Sequence, residues 1–266
     1  MLLLWTVAVA LAEDPVFAGT AAPVKELPPE PEAHLSAELG GSASGGNTSF
    51  YTVSSTVNGS YQASQNKVGL ILAGVYGRGR VDADASGSLD EVEQAAKPVE
   101  TARRATADLR YDRFFGEVNS LYGLVGALYD PFAGYDLRTH EQLGYSRLLV
   151  KTEKTELAGE LGFDVAQENY VDGVDPNRQS IYAAREMVRV TTALGDVVGI
   201  TEQLEVYENV VTIKDVRVLN TIAVSFTVSK ALSFKVGNTL IFDNVPVEGF
   251  GKLDQTTTAT LVANLL

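Results

Sequence analysis

No cysteine occurs in the 266 residues, which removes disulfides, thiolate metal sites and a cysteine nucleophile together. Histidine is nearly as scarce, with His34 and His140 as the whole complement. A serine–histidine hydrolase needs the two side chains in contact. The nearest serine on the strand of His140 is Ser146, about 20 Å away along an extended chain, so no enzymatic activity is expected. Basic residues are outnumbered, 21 Lys and Arg against 34 Asp and Glu, for a formal net charge of −13. Nucleic-acid binding depends on clustered cations and is excluded. Neither a phosphate-cradling glycine loop nor a dinucleotide fingerprint is present. Nowhere are there about 18 consecutive apolar residues, so a helical membrane span is excluded as well.

Proline is confined rather than absent. Five of the nine prolines (Pro15, Pro23, Pro28, Pro29 and Pro31) fall within residues 13–33, a stretch without apolar periodicity that reads as a disordered linker. Before it stands "MLLLWTVAVALA", an apolar run closing on Ala10-Leu11-Ala12, which reads as an export signal over residues 1–12. No Lys or Arg precedes that run.

From His34 onward the chain alternates. In "TIAVSFTVS" Ile222, Val224, Phe226 and Val228 are apolar, and the residues between them are small or polar. A period of two is a strand with one apolar face. Counting in this way gives about twelve proline-free strands, most of 10 to 13 residues, the length that crosses a bilayer at a tilt. Short gaps such as "SKA" and "KTEK" alternate with longer ones, so the long connections share one end. The expected fold is all-β, a single antiparallel up-and-down transmembrane barrel over residues 34–266, with a long surface loop over 78–103. Tyr51, Tyr61, Tyr76, Tyr111, Tyr145, Tyr182 and Tyr207 fit interfacial girdles. A soluble secreted β-sandwich stays open as the alternative, because Glu141, Glu186 and Glu202 fall on the apolar face.

The polar phase of the strands carries both signs of charge. Asp108, Arg110 and Asp112 lie on strand four, Arg138 and His140 on strand six, Glu160 and Asp164 on strand seven, and Arg185 and Arg189 on strand eight. Strands seven and eight are hairpin neighbours, which sets acids against arginines across one ladder. These residues are expected to line a narrow lumen. Two functions follow: a small pore for solutes or ions, or a non-conducting barrel plugged by its own side chains. A twelve-stranded interior lies between filled and open cases, so both stay open.

Within the long loop, "DADASGSLDEVE" has the ligand spacing of a calcium loop. Asp82, Asp84, Ser86, Ser88 (through its carbonyl), Asp90 and Glu93 would be the oxygen ligands, with Leu89 pinning the loop and a short helix leading out. Weak calcium binding is the expectation, and a solvated acidic tip is the alternative.

The segments "SASGGNTSFYTVSSTV", "ATADLRYDRFF", "LYGLVGALYDPFAGYDLRTHEQLGY", "LLVKTEKTELAGELGF" and "VPVEGFGKLDQTTTATLVANLL" resemble, in order and spacing, the bacterial family called domain of unknown function 481, whose members include a salt-induced outer-membrane protein. The likeness covers residues 36–266. It implies an exported outer-membrane barrel and brings no catalytic residues. The implied partners are outer-membrane lipids and the barrel-assembly machinery, and a monomer is expected. One departure is the end of the chain, Leu265-Leu266, where the family closes on an aromatic residue.

Overall fold

A computed structural model describes residues 31–44, 49–80 and 89–266. The expected signal segment and most of the linker lie outside these residues. Among the described residues the chain forms twelve strands and one short helix: β1 (Glu32–Ser44), β2 (Phe50–Ala63), β3 (Asn66–Gly79), α1 (Glu91–Ala95), β4 (Val99–Phe114), β5 (Asn119–Asp130), β6 (Tyr135–Lys151), β7 (Thr155–Tyr170), β8 (Arg178–Leu194), β9 (Val198–Asn209), β10 (Val216–Ser229), β11 (Leu232–Asp243) and β12 (Leu253–Asn264). Each strand pairs antiparallel with its neighbours in sequence, and β1 pairs with β12 from Ser36↔Asn264 to Gly40↔Thr260. The sheet is therefore a closed barrel, each strand paired on both sides, with a short β1–β12 seam of five residue pairs.

The connections divide by length as the spacing predicted. Residues 64–65, 115–118, 152–154, 195–197 and 230–231 turn tightly at one end, and the longer connections gather at the other. The tight turns use left-handed backbone at Ser64 (φ 52°) and Gly195 (φ 71°). Pro98, Pro131, Pro176 and Pro246 all fall in long-end connections, so no strand carries a residue that cannot donate to the ladder.

Two boundaries differ from the sequence reading. The first strand begins at Glu32 rather than His34, and the ends of the expected 78–103 loop belong to strands, residues 78–79 to β3 and 99–103 to β4. The second difference has a local cause. Gly77 pairs with Ala102 but Arg78 with Glu100, so Thr101 is an extra residue in a bulge. A bulge resets the alternation by one position, and that hides the first turns of β4 from a period-two search.

The two faces of the sheet invert the arrangement of a soluble protein. Outward positions carry Leu39, Leu72, Val125, Leu143, Leu161, Val188 and Leu261, and Leu143 is 74% exposed. Inward positions carry Arg, Asp, Glu and Thr, and Asp164 is 0% exposed. Each outward Leu or Val would gain about 1.5–3 kcal/mol on leaving water, so an aqueous surround costs the belt roughly tens of kcal/mol. The closed barrel with a polar interior replaces the sandwich alternative.

Candidate functional site

The inward phase builds a chain of alternating charges across the lumen. Arg110 on β4 grips Asp112, two positions along the same strand, with Nε–Oδ2 2.9 Å and Nη2–Oδ1 2.7 Å. The same guanidinium reaches Glu160 on β7 at 2.8 Å, past both β5 and β6. Glu160 also accepts from Arg185 Nη1 on β8 at 2.8 Å, and Arg185 Nε donates to Glu205 on β9 at 2.8 Å. The sequence Asp112–Arg110–Glu160–Arg185–Glu205 thus draws on four strands, β4, β7, β8 and β9, with no member more than 3% exposed. Forked guanidinium–carboxylate pairs of this kind are directional and strong.

Tyr122 on β5 is the spacer that makes the crossing fit. Its ring lies 4.1 Å beneath the Arg110 guanidinium, and its hydroxyl accepts from Arg185 Nη1 at 2.8 Å. The ring occupies space left by two inward glycines. A Cβ at Gly144 on β6 would stand 2.6 Å from it, and one at Gly162 on β7 2.5 Å from its hydroxyl. Two missing side chains on neighbouring strands admit one aromatic ring, and the ring supports two arginines.

Above this floor, at the long-connection end, lies a cavity of about 410 Å³. Gln142, Arg185, Glu205 and Tyr207 form its base, and its rim carries Phe132, Val247 and Phe250. The β11–β12 connection bends in over the mouth: Val247 is buried and packs with Phe250 against Gly134 so closely that a Cβ there would collide with both. On one wall His140 stands between two carboxylates, Nε2 3.1 Å from Asp108 and Nδ1 3.3 Å from Asp164. On another, Arg217 forks onto Glu168 and faces Asp215 and Asp243 at 3.5 and 3.1 Å. Arg138 approaches Glu168 at 3.5 Å, and Arg104 approaches Asp130 at 3.7 Å.

The opposite half of the interior is lined by hydroxyls. Thr52, Thr56, Thr221, Thr239, Thr258 and Thr260 are all buried. One ion pair bridges them, Lys235 Nζ to Glu38 at 2.6 Å.

The structure places Asp108, Arg110, Asp112, Arg138, His140, Glu160, Asp164, Arg185 and Arg189 on the inner face of the barrel. The expected β7–β8 ladder of acid against arginine forms only in part. Glu160 meets Arg185 on a diagonal, because its direct partner is Met187, and Asp164 turns to His140 on β6. Tyr207, expected in a girdle, faces inward and donates to Glu205 at 2.9 Å, since β9 turns 203, 205 and 207 to the lumen. Glu205, Arg217, Glu168, Arg104, Lys235 and Glu38 were missed, although each lies in the inward phase of its strand and extending that phase would have found them.

Of the expected calcium ligands, Asp82, Asp84, Ser86 and Ser88 lie outside the described residues. Leu89 is buried, and Asp90 and Glu93 cap helix α1 reciprocally. Asp90 Oδ1 accepts from the Glu93 amide at 2.7 Å, and Glu93 Oε2 accepts from the Asp90 amide at 3.1 Å. Among the described residues no group of three acidic or histidine side chains is placed to hold a metal ion.

Comparison with solved structures finds barrels of the same kind. A NanC porin matches with a TM-score of 0.52 at 10% identity, over 87% of this chain and all of that one. An outer-membrane channel from Pseudomonas putida F1 matches with a TM-score of 0.48 at 13% identity, over 93% of this chain and 98% of that one. At 10% identity the likeness to the NanC porin is one of fold alone. A comparison with curated proteins finds no match. The sequence pattern of one family covers nearly the whole barrel, residues 37–265, and the chain therefore belongs to the protein family of unknown function DUF481.

Proposed function

We propose that this protein is an outer-membrane barrel of channel type, a conduit for small solutes or ions that is held shut at rest. The long connections face the cell exterior, and the cavity among them is the vestibule of the conduit. The observation that carries the reading is the charge chain from Asp112 to Glu205, which crosses the lumen below the vestibule with each member 3% exposed or less. The apolar outer belt supports the membrane location, and the barrel shared with the NanC porin supports the channel architecture. A catalytic role for His140 is disfavoured, since both its ring nitrogens face carboxylates. Burial of the threonine side favours a second reading, a structural barrel that never opens.

The test is fractionation followed by liposome swelling. The protein is expected in the outer-membrane fraction, extracted only by detergent. Reconstituted wild type is expected to admit pentoses at close to the protein-free rate, and Glu160→Gln/Arg185→Gln several-fold faster. Fast swelling by wild type overturns the resting closure. A folded double variant that stays tight favours the structural barrel.

A further inference from the structure

The middle of the outward belt carries three carboxylates, each costly in lipid. Glu141, Glu186 and Glu202 sit on β6, β8 and β9, exposed on the outer face. Glu186 is central in its strand, with residues 178–185 on one side and 187–194 on the other. Their cross-strand neighbours on that face are all apolar: Val125 and Val165 flank Glu141, Leu161 and Val206 flank Glu186, and Val190 and Ile222 flank Glu202. None of the three carboxylates has a hydrogen bond or ion pair among the described residues. A charge on the lipid face of a barrel costs up to about 2–4 kcal/mol at the midplane, carboxylates less than Lys or Arg, and ionisable groups within membrane segments are nearly always turned inward or paired. On β1 to β5 the middle of the outward face is free of charge: Leu39, Val57, Leu72, Leu109 and Val125 stand there.

We propose that the outer face of β6 to β9 is a docking surface, inside the membrane, for a second membrane protein that presents Lys or Arg at mid-depth. This rests on the membrane location proposed above. Charge complementarity selects the occupant. A second copy in the same orientation offers Glu186 no cation, because the outward arginines Arg78, Arg103, Arg113, Arg147 and Arg178 lie toward strand ends. A membrane segment with a basic side chain satisfies both partners, since its own charge is equally costly in lipid.

The probe is a pair of synthetic leucine-rich transmembrane helices, one with a single central Arg and one without, each carrying an acceptor dye. The barrel is refolded into phosphatidylcholine vesicles with a donor at Asp196→Cys, the chain having no other cysteine. The Arg helix is expected to saturate energy transfer at about tenfold lower peptide density than the Leu helix. Glu141→Gln/Glu186→Gln/Glu202→Gln is expected to erase that difference, and Glu186→Gln alone to reduce it. Equal transfer from both helices, or a difference that survives the triple substitution, overturns the proposal. Transfer between donor- and acceptor-labelled barrels that the triple substitution abolishes also overturns it, in favour of a second copy. A barrel that fails to float with the vesicles fails the membrane reading instead.

Discussion

At the scale of single residues, the interior is decided by which side chains are missing as much as by which are present. Tyr122 fits because Gly144 and Gly162 carry no Cβ, and Arg110 reaches Glu160 over that ring. Gly162→Ala is therefore expected to lower stability by about 1–3 kcal/mol in urea unfolding from vesicles. The same change in a Tyr122→Leu background is expected to cost much less, and an equal cost in both contradicts the fit. Arg185 holds two buried carboxylates, Glu160 and Glu205. Arg185→Ala leaves both without it, so a loss of about 3–5 kcal/mol is expected, and a loss under about 1 kcal/mol contradicts the network. None of this was legible in the sequence beyond the phase. Arg110, Glu160 and Arg185 were placed on the inner face by alternation, but the contact of β4 with β7 depends on how two intervening strands yield space, and no local pattern records that.

At the scale of elements, alternation was a good guide wherever a strand ran unbroken. It found twelve strands and the end that holds the long connections, because a polar lumen and an apolar surround impose a strict period of two on every strand. It failed at the Thr101 bulge, where the period slips, and at Tyr207, where residue type was weighted above phase. The loop before β4 shows the reverse case: the exit helix was expected from "SLDEVEQAA", and α1 forms there with a reciprocal cap. Asp90→Ala removes the side-chain acceptor of that cap, and exchange of the Glu93 amide is expected to speed by about fivefold, the measure of a cap worth about 1 kcal/mol. We propose further that calcium binds residues 82–93 weakly, at about 0.1–1 mM. Asp90 and Glu93 would then leave the cap for the ion, so millimolar calcium is expected to hasten the same exchange. No effect of calcium on the Glu93 amide or on titration heats contradicts that site.

At the scale of the whole molecule, the barrel joins a largely apolar outside to an inside crossed by buried ion pairs. On the function proposed above, the cavity at the long-connection end is the mouth of the lumen and the buried charge chain beneath it is the closure. Closing the lumen with charged side chains rather than apolar ones keeps a route by which water and ions can enter once the pairs part. The central claim is that these pairs are the barrier, and single-channel recording in planar bilayers tests it most directly. Wild type is expected to pass no steady current in molar potassium chloride, and Glu160→Gln/Arg185→Gln, folded and inserted, is expected to show stable ohmic openings. Steady conductance by the wild-type barrel, or a correctly inserted double variant that remains silent, would contradict it.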